Sequence, residues 1–226
     1  DHASGHGRST RRGSYPLTKL GLIAGSGRFP LLVAQEARRQ NLDVVALGLE
    51  GVTDHGLEEV AGPVRYFKLG QLDAPINIFK EEGVTRAVMA GKVQHVSLFG
   101  GIRPDLRAVK LMARLADKRT DTILKAVAAE FAKDGIELMA SSAYLSHLLA
   151  EEGSMSRRAP TASEKSDMAL GWKAAKSLSG LDIGQTVVVS GGAIVAVEAM
   201  EGTDLCVRRA AELARSFGKT PSLIVV

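Results

Sequence analysis

The feature that most constrains this chain is the alternation of short apolar runs with helical stretches over residues 19–139. Residues 19–24, 43–48, 64–69, 86–90 and 136–139 read as strands, and residues 30–40, 75–82, 105–115 and 121–133 read as helices between or before them. A further helix is predicted over 142–151. Strands separated by helices at this spacing fold into a parallel sheet with crossover helices, because parallel neighbours cannot be joined by a tight turn. The fold class is therefore α/β, with a Rossmann-like parallel sheet in the N-terminal part.

After residue 153 the pattern changes. Residues 153–163 are polar and carry Gly, Ser, Arg and Pro, the composition of an exposed connection. Beyond them a helix is predicted over 164–178, then strands over 186–189 and 193–199 joined by Ser190-Gly191-Gly192, a hairpin turn whose glycines can take positive φ. A helix follows Asp204 and runs to about Phe217, and residues 223–226 form a last strand. The expected organisation is a disordered leader or cloning scar over 1–16, a nucleotide- or phosphate-binding domain over 17–152, a linker over 153–163 and a C-terminal α/β domain over 164–226.

Charge and composition exclude several classes. The net charge of +4 draws on Arg8, Arg11, Arg12 and Lys19, so the folded part is about neutral and no basic face for nucleic acid is expected. His2 and His6 fall in the same leader and are not read as metal ligands. The single cysteine, Cys206, suits a reducing cytosol and has no nearby histidine to activate it, so it reads as a packed helix residue. No apolar run approaches the roughly 20 residues of a membrane span.

Four stretches could carry chemistry. Gly25-Ser26-Gly27-Arg28-Phe29-Pro30 lies between the first strand and first helix, where glycines admit a close ligand, a helix N-terminus favours phosphate and Arg28 adds charge. Pro30 stands where a dinucleotide-binding motif has its last glycine, which weakens a nicotinamide-dependent oxidoreductase reading. Gly91-Lys92-Val93-Gln94-His95 follows the fourth strand. Ligands of open parallel sheets bind beyond the carboxyl ends of strands, so this turn and the Gly25 turn are expected to face one site, with Lys92 and Gln94 toward phosphate or uracil oxygens. His95 reads as a structural or surface residue.

Gly70-Gln71-Leu72-Asp73 lies at the same edge, either lining the site through Gly70 and Gln71 or serving as a plain helix cap through Asp73. Glu198 to Asp204 contains Glu201, Thr203 and Asp204 on a turn entering a helix. These are hard oxygen ligands suited to Mg²⁺, or else Thr203 or Asp204 is an ordinary N-cap. Asp121, ahead of another helix, reads as a cap.

Several stretches together resemble one family. Leu22-Ile-Ala-Gly-Ser-Gly-Arg-Phe-Pro30, Ala90-Gly-Lys-Val93, Pro160-Thr161, Leu181-Asp-Ile-Gly-Gln185, Ala196-Val-Glu-Ala-Met-Glu-Gly-Thr-Asp204 and Gly218-Lys-Thr-Pro-Ser-Leu-Ile-Val-Val226 resemble, in order, the UDP-2,3-diacylglucosamine pyrophosphatases. The resemblance runs from about residue 18 to the end. It implies a homodimer, substrate held between domains, and Mg²⁺-dependent attack of water giving UMP and 2,3-diacylglucosamine 1-phosphate.

The implied site has Gly25, Ser26, Gly27, Arg28, Gly70, Gln71, Gly91, Lys92 and Gln94 binding substrate. Glu201 and Asp204 would hold the metal, with Thr203 and Asp204 as the catalytic pair. The resemblance further implies a cytoplasmic protein of lipid A synthesis, peripheral to the inner membrane. Two departures stand out. The family continues past the last strand into a Gln-Asp-x-Arg-Phe-Asp-x-Pro stretch bearing a catalytic carboxylate, not present here, and a chain without it is expected to bind or turn over substrate poorly. Gln94-His95 also stands where relatives carry Arg-Pro. The competing reading is a non-catalytic sugar-nucleotide binding protein.

Overall fold

A computed structural model describes residues 18–93, 104–115, 120–216 and 222–226, with the side chains of Thr120 and Asp121 outside that description. Gln94, His95, the leader and the predicted helix end at Phe217 also lie outside it. Contacts divide the chain into two units, with the main division between Leu149 and Ala150.

The N-terminal unit runs β1 (Lys19–Ala24), α1 (Phe29–Arg39), β2 (Asp43–Leu49), α2 (Leu57–Ala61), β3 (Val64–Phe67), α3 (Asp73–Glu81), β4 (Arg86–Ala90), α4 (Leu106–Arg114), α5 (Thr120–Lys133) and β5 (Glu137–Met139). Its sheet has the order β3-β2-β1-β4-β5 with every pairing parallel. Both faces are covered, which is why β1 over Leu20–Ala24 and β2 over Val44–Leu49 are apolar instead of alternating with polar residues. Leu20, Leu22 and Ala24 of β1 pack with Val33, Ala34 and Ala37 of α1 and Leu57 of α2. Ile23 belongs to the opposite core with Ile76 and Phe79 of α3 and Phe131 of α5. The Phe79 ring reaches the sheet where Gly21 has no side chain; a Cβ there would lie 2.7 Å from it.

Two predictions about this unit need correction. The short helix α2 was not anticipated; its five residues bury only Leu57 and Ala61, too little periodicity to read in sequence. The helix expected over 142–151 is instead a series of turns with one 3₁₀ turn, Ser146–Leu148. Leu145, Leu148 and Leu149 have helical spacing, but only Leu145 reaches the core while the other two stay more than half exposed. Without an apolar face to bury, tertiary packing gives no support to a helix there.

The C-terminal unit contains α6 (Ala162–Gly180), β6 (Val187–Ser190), β7 (Ala193–Val197), α7 (Thr203–Ser216) and β8 (Ile224–Val225). Its antiparallel sheet, ordered β7-β6-β8, has Val187 and Val189 facing Ala175 of α6 and Val188 facing Cys206 and Ala210 of α7. Gly191 and Gly192 make the expected two-residue hairpin, with φ of 56° and 80°. The buried Asp167 of α6 accepts both their N–H groups, at 3.0 and 2.8 Å, a tie not foreseen from sequence. Cys206 is fully buried, and burial pushes its thiol pKa up, as an inert packed residue requires.

Helix α6 begins two residues earlier than predicted, because Thr161 and Glu164 form a reciprocal capping box. The Arg158 guanidinium grips the Glu164 carboxylate in a fork, at 2.8 and 2.7 Å, and the Thr161 N–H adds a third bond, holding the Glu164 pKa down at about 2. Since the unfolded chain takes up this proton near the ordinary 4.5, the cap stabilises fully above that pH and is lost as pH falls from 4.5 toward about 2. Thermal unfolding across that window is expected to show this loss, and Glu164→Gln should remove that share of the pH dependence.

Candidate functional site

In the N-terminal sheet the chain moves outward from β1 to β2 and β3, then returns to place β4 on the other side of β1. That reversal makes a crevice beyond the carboxyl ends of β1 and β4. Both expected glycine turns stand there and are joined. Ser26 and Lys92 exchange backbone hydrogen bonds of 2.9 and 3.0 Å, the Ser26 hydroxyl donates to the Lys92 carbonyl at 2.9 Å, and the Gly25 N–H donates to the Ala90 carbonyl at 2.8 Å. The turns fit only because of their glycines. A Cβ on Gly25 would lie 2.6 Å from the Lys92 carbonyl oxygen, and one on Gly91, whose φ is 95°, would lie 2.7 Å from that of Ser26.

This interlock changes what the turn can offer an anion. The N–H groups of Gly25, Ser26 and Lys92 already have protein acceptors, and that of Gly27 donates to Asp54 Oδ2 at 2.9 Å. What remains is the first turn of α1, whose leading N–H groups have no intrahelical partner, together with two cations. Arg28 and Lys92 are exposed, and neither side chain pairs with a described residue. Charge from these two side chains, more than a backbone cradle, is what the crevice presents to a phosphate.

Gly70 and Gln71 stand in the turn that follows β3. The Gln71 side-chain Oε1 accepts the Lys68 N–H at 3.0 Å, closing the turn after β3 on itself. Asp73 is not the cap of α3. Asp105 is: its Oδ2 accepts the N–H groups of Leu72 and Asp73 at 2.6 and 2.7 Å, while its Oδ1 caps α4 through Ala108 at 2.8 Å. One carboxylate thus serves two helix starts, and Asp73 pairs loosely with Arg107 instead, at 3.7 Å. At about 1 kcal/mol per cap, Asp105→Ala should destabilise the N-terminal unit by about 2 kcal/mol in urea unfolding. Asp105→Asn, which keeps one oxygen acceptor, should lose about half as much.

In the C-terminal unit the acidic turn is built around Glu198. Its carboxylate accepts the Gln185 N–H at 3.1 Å and the Thr203 hydroxyl at 2.9 Å, and the Thr203 oxygen lies 3.3 Å from that of Thr186. Burial raises the Glu198 pKa, but the N–H of Gln185 and the hydroxyls of Thr186 and Thr203 outweigh it, leaving the group below its ordinary value. Gly184 permits this closeness, since a Cβ there would stand 2.1 Å from the Glu198 carbonyl oxygen. Glu201 accepts the Ala199 N–H at 3.0 Å and pairs with Arg209 at 2.9 Å. Thr203 and Asp204 start α7 as helical residues, and the Thr203 hydroxyl is turned to Glu198.

Asp204 is exposed in the first turn of α7 and has no partner among the described residues. Those residues include no converging group of three or more acidic, histidine or cysteine side chains. They do not fit a closed metal cage. They do fit the usual manner of Mg²⁺, which keeps several waters and takes one or two carboxylates plus substrate phosphates; Asp204 is the uncommitted carboxylate for that role.

An open α/β sheet whose two interlocked turns stand at its reversal point, where α/β proteins bind ligands, is followed by a separate unit with an acidic helix start. Sequence comparison narrows this. Residues 19–148 match the LpxI N-terminal domain and residues 151–226 the LpxI C-terminal domain. The chain is also 30% identical over 200 residues to the UDP-2,3-diacylglucosamine pyrophosphatase LpxI of Caulobacter vibrioides, covering 87% of this chain and 70% of that one. The chain belongs to the LpxI family.

Asp54, which accepts the Gly27 N–H, was not singled out in the sequence. Its signal is an acid just past the second strand of an open α/β sheet, roughly 20 to 30 residues after the glycine turn.

Proposed function

We propose that this chain hydrolyses the diphosphate of UDP-2,3-diacylglucosamine to UMP and 2,3-diacylglucosamine 1-phosphate, a step of lipid A synthesis. Family membership supports the substrate, and the observation that carries the chemistry is the pair of cations, Arg28 and Lys92, that take no partner among the described residues and stand beside turns interlocked at the sheet's reversal point. Two positive charges match a diphosphate, which carries negative charge on the oxygens of both phosphates. Their placement on rigid turns, rather than long loops, limits the reorganisation needed as charge develops.

Water adds its hydroxyl to one phosphorus while the bridging P–O bond breaks; the departing phosphate oxygen keeps the electron pair, and the water's proton passes to solvent or to that phosphate. Asp204 is the residue we assign to holding Mg²⁺, with Glu201 available to it on releasing Arg209. The metal when bound supplies neutralisation of the splitting diphosphate. Thr203, with its hydroxyl held by Glu198, fixes the start of α7 and so the position of Asp204. Arg28 and Lys92 bind and orient the diphosphate, and Ser26, Gly25 and Gly91 hold those two cations in place.

No helix among the described residues is long and apolar enough to cross a membrane. The two acyl chains of the proposed substrate supply the reason for contact with the cytoplasmic face of the inner membrane. The homodimer is proposed on family resemblance. Incubating the chain with UDP-2,3-diacylglucosamine and Mg²⁺ should release UMP, and release should stop on chelation. Tight binding of the substrate with no UMP formed would instead mark a sugar-nucleotide binding protein.

A further inference from the structure

Helix α6 has two unlike sides. One packs on the small sheet, with Ala175 against Val187 and Val189, and with Gly171 so near Val226 that a Cβ would lie 2.6 Å from its side chain. The opposite side carries Lys165, Met168, Trp172, Lys173 and Lys176, all exposed. Steps of three, four and four residues from Lys165 through Met168 and Trp172 to Lys176 keep these on one stripe, about 16 Å long at 1.5 Å per residue, with Lys173 beside it. Trp172 is 60% exposed and Met168 40%.

A single exposed apolar residue is ordinary on a protein surface. The surroundings of this tryptophan are not. None of the three lysines pairs with a carboxylate of a described residue. The two acids of α6 are engaged elsewhere: Arg158 and Thr161 hold Glu164, and Asp167 is buried with the Gly191 and Gly192 N–H groups. Lys176 Nζ stands 4.7 Å from the centre of the Trp172 ring, a cation over an aromatic face. The stripe is thus positive throughout around one large amphipathic ring. It complements negative charge spread in a plane with apolar material beneath it. Indole settles at the boundary between headgroups and acyl chains, and lysines around it reach the phosphates. A free phosphate would meet the lysines and leave Trp172 and Met168 wet.

We infer that the outer face of α6 docks this protein on an anionic bilayer surface, with Trp172 at headgroup level and Lys165, Lys173 and Lys176 against lipid phosphates. The inner face of α6 stays on its sheet, so the contact is shallow and reversible, an adsorption and not an insertion. It gives the membrane contact of the proposed function a place on the molecule, and it uses no residue of the phosphate crevice or the acidic turn.

Trp172 is the chain's only tryptophan, so its fluorescence reports on this face directly. Titrating the full chain with vesicles of phosphatidylcholine and phosphatidylglycerol in equal parts should shift its emission to the blue, and brominated phosphatidylcholine in the same vesicles should quench it. Pure phosphatidylcholine vesicles, or high salt, should abolish both changes. In vesicle cosedimentation, Lys165→Ala, Lys173→Ala and Lys176→Ala together should weaken binding about a hundredfold, at about fivefold for each lysine near an anionic surface. Trp172→Ala should weaken it about tenfold through lost apolar burial. Lys110→Ala, Arg114→Ala and Lys125→Ala together remove the same charge from exposed positions of α4 and α5 and should leave binding nearly unchanged. Equal loss in both triple variants, no binding to the anionic vesicles, or binding with unshifted Trp172 emission would each overturn the assignment. A blue shift that grows with protein concentration in the absence of lipid, with doubled mass, would overturn it in favour of a contact between copies. Release of UMP from detergent-dispersed UDP-2,3-diacylglucosamine should be equal in the α6 triple variant and the unchanged chain, so failure of docking is distinguishable from failure of the hydrolase reading.

Discussion

Asp204→Ala should lower kcat by about a hundredfold to a thousandfold, the scale of losing one group that stabilises a charged transition state, while leaving the affinity for UMP nearly unchanged. The reason is its position. Among the acids of the turn, Glu198 is engaged by Gln185 and Thr203 and Glu201 by Arg209, whereas Asp204 touches no described partner and faces solvent at the start of α7. As a mere helix-terminal acid it would contribute only about 0.3–1 kcal/mol to stability. Steady-state kinetics, UMP titration and thermal unfolding on the same variant separate the possibilities. Equal loss of turnover and affinity, tracking a fall in Tm, would make Asp204 a structural residue. Glu212→Ala serves as the control. It removes an exposed acid of the same helix that has no described partner and should leave turnover nearly unchanged.

Gly91→Ala should cost about 3 kcal/mol of stability or more and with it the binding of UMP. Two effects combine: a φ of 95° that side chains resist, and a Cβ 2.7 Å from the Ser26 carbonyl oxygen and 2.9 Å from Pro30 Cγ. Neither neighbour can retreat easily, since Ser26 is bonded to Lys92 and Pro30 is buried at the start of α1. Gly27→Ala makes the comparison informative. Its φ of 91° carries similar strain, but a Cβ there meets nothing within 4 Å, so a loss of about 1–2 kcal/mol is expected. Urea unfolding and UMP titration of the two variants measure the difference. Similar behaviour of both would mean that the interlocked turns tolerate separation.

Local pattern made much of the architecture legible. Apolar runs such as Leu20 to Ala24 and the helical stretch behind Pro30 announce themselves through neighbours only a few residues away, and parallel pairing follows from the helices between strands. The same holds for the Gly191-Gly192 hairpin, whose two positive φ values only glycine adopts without strain. Where local pattern lacked tertiary support it misled, as at Leu145 to Leu149, where helical spacing was present and a core to receive it was not.

The sequence by itself determined which residues stand at the ends of β1 and β4 and that an acidic turn precedes α7. Only the tertiary structure decided which partner each polar group takes. Asp105 rather than Asp73 caps α3 from across 32 residues; Asp54 claims the Gly27 N–H; Glu201 goes to Arg209 and leaves Asp204 with no partner among the described residues. The physical reason is one of range: secondary structure is set by dihedral preferences and periodic burial along the chain, whereas a carboxylate bonds to whichever donor the folded path brings within about 3 Å.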